Sequence, residues 1–292
     1  MKEYFLKYKE YNILIYENGT GEIPIVLLHG AGLDSAMLSW HEVVNLLPNR
    51  YTVYAIDLLG YGKSDKPENM MGDMFYEKHI ECLESIIEQL GLGTFVLSGL
   101  SMGGAISIGY TLKNANKVKA LIPIDSWGLV SKMPLHRFYY WYINTSLVAK
   151  SYQWFAKYKW LVKWSISYSL IGDKSRISNE LVDTLFNLCK GLNAGKSMQD
   201  YQRSSITKHN VIPDFTKRLQ EISIPVLFIN GDKDSLVSVK DAVKASKIVK
   251  NGQIHIMKDC KHWSQKERPE EFVEVIDKFI CALYSEHSVR NL

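Results

Sequence analysis

Hydrophobic residues change their spacing along this chain, and the changes divide it into elements. From Tyr4 to Tyr16 apolar and polar residues alternate, and Asn18-Gly19-Thr20-Gly21 then supplies turn residues. That pattern predicts an opening antiparallel hairpin. From Ile23 the alternation gives way to a nearly continuous apolar run ending at Leu28, as expected of a strand buried on both faces of a parallel sheet. Asp34 or Ser35 stands where a helix cap belongs, and the helix it opens should end near Pro48.

The same unit then repeats. Residues 51–58, 94–100 and 118–125 read as strands, with helices over 76–90 and 102–114 between them. The rhythm returns with strands over 224–230 and 253–258, a helix over 239–249 and a last helix from Pro269 to about Tyr284. Counted with the hairpin, this predicts an eight-stranded, mostly parallel sheet flanked by helices.

Residues 127–215 interrupt the alternation. They contain helical-length segments dense in aromatics, from Phe138-Tyr139-Tyr140-Trp141-Tyr142 to Trp160 and Trp164, and are far too long for an ordinary connection. They read as a helical cap inserted into a core made of residues 1–126 and 216–292. Core packing against the sheet edge is the first expectation for the cap aromatics, and the wall of an apolar substrate pocket is the second.

Gly99-Leu100-Ser101-Met102-Gly103 lies where a strand ends and a helix begins. A serine on such a strained turn needs small residues two before and two after it, so that the backbones can pass closely. Ser101 is therefore the expected nucleophile. A serine hydroxyl needs a base and a carboxylate to orient that base. Among the eight histidines, His29 and His41 precede Ser101, whereas the acid and the histidine should follow the nucleophile. His255 falls within a strand, and His79, His136 and His287 fall in helices or the tail. His262, in the loop after the last strand, is the expected base. Asp234 of Gly231-Asp232-Lys233-Asp234 is the expected acid, with Asp232 shaping the turn; Asp125, ending an earlier strand, is the rival. His29-Gly30-Ala31-Gly32 follows a buried strand, so the N–H groups of Ala31 and Met102 are the expected oxyanion donors. Gly30, Trp127 and Trp263 are the expected pocket residues.

Composition narrows the class. Apolar residues make up 46% and charged residues 23% of the 292, which excludes a disordered or fibrous chain. The formal charge is +4, with Lys and Arg interspersed among Asp and Glu, so no nucleic-acid footprint is expected. Four widely spaced cysteines indicate neither a disulfide framework nor a zinc site. No signal peptide or membrane span is visible, and a reducing cytoplasm is the expected setting. Gly30-Ala31-Gly32-Leu33-Asp34-Ser35 with Asp57 approaches a dinucleotide fingerprint, but Ser35 holds the third small position. Gly62-Lys63-Ser64 fails as a phosphate loop because position 57 is Asp.

Four signatures in order now support a family reading: Leu28-His29-Gly30-Ala31-Gly32; Asp57-Leu58-Leu59-Gly60-Tyr61-Gly62-Lys63-Ser64; the Ser101 turn; and Gly231-Asp232-Lys233-Asp234 with Lys261-His262-Trp263. Together they resemble the α/β-hydrolase superfamily along nearly the whole chain. The resemblance implies a capped serine hydrolase with Ser101, Asp234 and His262 as its triad and no metal or organic cofactor. Within it the chain looks most like esterases and meta-cleavage carbon–carbon hydrolases, partly through His262-Trp263-Ser264-Gln265. The carbon–carbon enzymes usually carry Asn before the nucleophile, where this chain has Leu100. The expected activity is hydrolysis of a small, largely apolar carboxylic ester (EC 3.1.1) through an acyl-enzyme. The alternatives are carbon–carbon, amide or thioester hydrolysis, or a ligand receptor keeping a nearly silent triad. An exposed aromatic cap would also offer a surface for a homodimer.

Overall fold

The computed structural model describes residues 1–191 and 194–290. Strands β1 (Lys2–Tyr8) and β2 (Tyr11–Asn18) form the opening hairpin. There follow β3 (Ile23–Leu28), α1 (Ala36–Leu46), β4 (Tyr51–Ile56), α2 (Phe75–Gln89), β5 (Phe95–Leu100), α3 (Met102–Lys113) and β6 (Val118–Ile124). Five helices then succeed one another: α4 (His136–Ile143), α5 (Leu147–Lys157), α6 (Lys159–Ser165), α7 (Asn179–Cys189) and α8 (Lys196–Ser205). The alternation resumes with β7 (Val226–Gly231), α9 (Val239–Ile248), β8 (Gly252–Met257), α10 (Ser264–Glu267) and α11 (Pro269–Arg290).

One sheet of eight strands results, in the order β1-β2-β4-β3-β5-β6-β7-β8. The pairings β1–β2 and β2–β4 are antiparallel, and the other five are parallel. Strand β5 at its centre is buried at every position, which is why its sequence runs apolar instead of alternating. One face is covered by α2, α3 and α9 through residues such as Phe75, Ile86, Ile106 and Ala245; α1 and α11 cover the other through Trp40, Val43, Phe272 and Ile276. Residues of the insertion, among them Val162, Ile166, Leu181, Val182 and Leu185, join that second core and seat it. Among the described residues no helix is long and apolar enough to cross a membrane.

The aromatics of the insertion depart from expectation. Phe138, Trp141, Trp154, Tyr158, Trp160, Trp164 and Tyr168 are exposed, with Trp154 at 63% and Trp160 at 66%. The residues of this segment that pack inward are chiefly aliphatic, such as Ile143, Val162, Ile166 and Val182. Helical aromatic density does not reveal which face a ring occupies when few polar residues mark the solvent side.

The second signature is scaffold. The buried Asp57 carboxylate accepts the N–H of Ala36 at the start of α1 (2.7 Å) and of Lys63 (2.7 Å). Its carbonyl accepts the Ser64 hydroxyl, whose oxygen accepts Leu14 N–H in turn. An acid that caps a helix and closes its own loop is not free to bind a ribose.

Candidate active site

Ser101 sits between β5 and α3 with φ 52° and ψ −112°, a conformation that L residues adopt only under constraint. The constraint is visible. Ser101 N–H donates to Ile124 O, and its carbonyl accepts both Ala105 and Trp127 N–H. A Cβ on Gly99 would collide with the Gly103 carbonyl, and one on Gly103 would fall 2.5 Å from His29 O. The glycines flanking the serine are required by this close passage.

His262 follows β8, and its Nδ1 lies 2.7 Å from Asp234 Oδ2. The Asp234 carboxylate is fully buried. Its other oxygen accepts Leu236 N–H (2.7 Å) and Val237 N–H (3.0 Å). Asp234 therefore folds its own turn as well as orienting the imidazole, whereas no such turn bond comes from the Asp232 side chain, which instead faces Lys258. Burial pushes the His262 imidazole down, but the negative charge and hydrogen bond of Asp234, with Asp125 and Asp34 behind it, leave it above its ordinary value.

Asp125 does not bond to His262. Fully buried and itself at positive φ (42°), it accepts Gly231 N–H (2.8 Å) and the Ser264 hydroxyl (2.7 Å). It ties the end of β7, before the acid, to the loop carrying the histidine. Burial and then the Asp234 charge raise its carboxyl well above the usual carboxylate range. A neutral isostere should therefore serve. Asp125→Asn is expected to change stability by no more than about 1 kcal/mol, while Asp125→Ala strands two buried donors and should cost about 2–3 kcal/mol. Urea unfolding of the two variants checks the difference.

The loop after β3 is braced on both sides. Leu58 N–H donates to His29 Nε2, which leaves the proton on Nδ1 to donate to Gly30 O. Of the two cap candidates Ser35 caps α1, while Asp34 turns back to accept Gly30 N–H (2.9 Å) and the Ser39 hydroxyl (2.7 Å). Neither Ala31 N–H nor Met102 N–H donates to a protein acceptor among the described residues. Met102 is also the first residue of α3, where the helix dipole favours negative charge.

Sequence reading missed Tyr201. This α8 residue brings its hydroxyl near those of Ser101, Tyr76 and Ser205; burial pushes the phenol up while these neighbouring hydroxyls act the other way. Trp127 packs edge-on against its ring, 6.1 Å between centroids, and donates its indole N–H to Ile212 O. Nothing in the spacing of α8 marks this tyrosine, because the contact crosses from the insertion to the core. Trp263 is buried in the second core, and its backbone N–H donates to Leu170 O. Glu267 accepts Gly172, Asp173 and Lys261 N–H, fastening the insertion to the histidine loop.

Ser101 and His262 are only 7% and 6% exposed. No hydrogen bond joins them among the described residues, and such contacts commonly tighten only around substrate. A cavity of about 1470 Å³ runs beneath α7 and α8, past Leu33, Asp34, Tyr61, Leu181 and Ser197. It reaches the braced loop at Gly32 but is not lined by Ser101, His262, Gly30, Trp127 or Trp263. Among the described residues no cluster of three or more His, Cys, Asp or Glu could hold a metal ion.

The chain is 25% identical over 270 residues to 2-hydroxy-6-oxo-6-(2'-aminophenyl)hexa-2,4-dienoic acid hydrolase of Metapseudomonas resinovorans, covering 90% of this chain and 86% of that one. It is likewise 25% identical over 271 residues to the 2-hydroxy-6-oxononadienedioate/2-hydroxy-6-oxononatrienedioate hydrolase of Escherichia coli strain K12, covering 90% and 88%. Among solved structures, a serine hydrolase from the polyaromatic-hydrocarbon-degrading bacterium Cycloclasticus zankles superimposes with a TM-score of 0.79 at 20% identity, covering 97% of this chain and 99% of that one. The family model for the alpha/beta hydrolase fold matches residues 23–269, and the chain belongs to that family.

Proposed function

We propose that the protein is a serine hydrolase that cleaves a small, largely apolar carboxylic ester through an acyl-enzyme. The observation that carries this reading is the buried 2.7 Å bond between Asp234 and His262 Nδ1, on the same sheet edge as the strained Ser101 turn. That bond leaves Nε2 as the nitrogen free to take a proton. Ser101 Oγ attacks the acyl carbon as Nε2 accepts its proton, and the N–H groups of Ala31 and Met102 receive the oxyanion. His262 then returns the proton to the leaving alcohol. A water deprotonated by the same nitrogen releases the acid, and Asp234 stabilises the imidazolium at each stage.

Carbon–carbon hydrolysis is the second reading, because the relatives from M. resinovorans and E. coli carry dienoate hydrolase names. Leu100 weighs against it, being an apolar residue where the resemblance leads one to expect Asn. The experiment is labelling with a fluorophosphonate, mapped to a residue, followed by p-nitrophenyl esters of increasing acyl length beside a 2-hydroxy-6-oxo-dienoate. Labelling at Ser101 with faster turnover of the esters is the expected result. Faster turnover of the dienoate would move the assignment to the second reading, and a label on another residue would remove both.

A further inference from the structure

The even mixing of charges expected from the whole sequence fails across one stretch. Residues 126–172 contain no Asp or Glu, yet they hold Lys132, Arg137, Lys150, Lys157, Lys159 and Lys163. Six positive charges here against +4 for the entire chain leave the remainder net negative. Lys159 pairs with Asp183 of α7, while the other five make no ion pair among the described residues. The same stretch carries five of the seven tryptophans. Trp141, Trp154, Trp160 and Trp164 are exposed, and Trp164 stacks on Tyr168 with centroids 5.2 Å apart.

We infer that the α4–α6 surface docks on an anionic lipid bilayer. Tryptophan and tyrosine combine an apolar ring with a polar edge, the combination favoured at the headgroup level, and lysines beside them meet lipid phosphates while their stems lie along the apolar boundary. Exposed rings on a soluble face also cost solvation unless something covers them. A second observation sits in the same segment. A cavity of about 330 Å³ at α4 is lined by Arg137, Tyr140, Trp141, Asn144, Thr145 and Lys208. Two cations, two aromatic rings and no acid suit a phosphate-bearing headgroup. A second copy of this chain is the poorer occupant, because a two-fold contact would set these unpaired cations against their own duplicates. The inference does not rest on the ester assignment, and its test needs no turnover.

The test is vesicle flotation of the full chain with phosphatidylcholine alone or mixed with phosphatidylglycerol, at low and high salt. Binding is expected to the mixed vesicles and to weaken as salt rises. Lys150→Gln, Lys157→Gln and Lys163→Gln together should reduce partitioning about a hundredfold, at roughly fivefold for each basic residue near the surface. A separate variant, Trp154→Ser with Trp160→Ser, should weaken partitioning and reduce the blue shift of tryptophan emission on mixing with vesicles. Circular dichroism and an unchanged melting temperature show that each variant is folded. No partitioning into phosphatidylglycerol vesicles overturns the inference, as does partitioning that both variants leave intact. A concentration-dependent dimer in sedimentation, dispersed by the tryptophan variant and indifferent to lipid, would assign the surface to a second copy instead.

Discussion

Ser101→Ala should lower kcat/KM on a p-nitrophenyl ester by about 10⁴-fold or more, the scale on which serine hydrolases lose rate when the nucleophile is removed. The size follows from the proposed chemistry: without Oγ no acyl-enzyme forms, and His262 and Asp234 have no proton to move. Binding should survive, since the oxyanion donors are backbone groups that alanine leaves in place. Stability supplies an independent readout. Alanine keeps the 52° φ of this turn and should unfold like the parent, whereas Ser101→Gly relieves the strain and should be more stable by about 1 kcal/mol. Urea unfolding beside steady-state rates separates the two consequences. Substantial ester turnover by the alanine variant would place the nucleophile elsewhere, and a glycine variant no more stable than the parent would mean the turn stores no usable strain.

The central strands of the sheet were legible because they are buried on both faces. A run such as Phe95–Leu100, buried throughout, has no solvent side to confuse its hydrophobic pattern, and the glycines at 99 and 103 mark the turn because a Cβ there meets backbone. The pairing of Asp234 with His262 was legible for a related reason, as each follows a strand end on one sheet edge. Three features were hidden by physics that spacing does not encode. Tyr201 reaches Ser101 across 100 residues of chain, and that contact depends on how the insertion seats on the core. Which of Asp34 and Ser35 caps α1 was hidden too: Ser35 does, because the loop's N–H and the Ser39 hydroxyl hold the Asp34 carboxylate. The exposed rings of α4–α6 were unreadable as outward-facing because only the way these helices seat on the core decides which side meets water.

Asp234→Asn should cost about 10³- to 10⁴-fold in kcat, because the amide can no longer hold the His262 tautomer in which Nε2 is the acceptor. The pH profile then tells orientation from mere disruption. His262 stands above its ordinary value, burial opposing and the Asp234 charge prevailing. A base must be unprotonated to act, so activity of the parent should rise with pH through a pKa above about 6.5, the usual histidine value. Removing the carboxylate leaves burial with less opposition, so the acid limb of the variant should shift to lower pH even as its plateau falls. Stability carries the opposite sign. A histidine whose folded pKa is raised contributes stability below its unfolded pKa and loses it as pH rises through the folded one; the parent should therefore lose some of its margin over Asp234→Asn on going from mildly acidic to alkaline buffer. Rates of both proteins across that range, with unfolding measured at each end, check both signs together. A variant acid limb that stays in place would separate Asp234 from the titration of His262 and leave the buried contact between them a structural one.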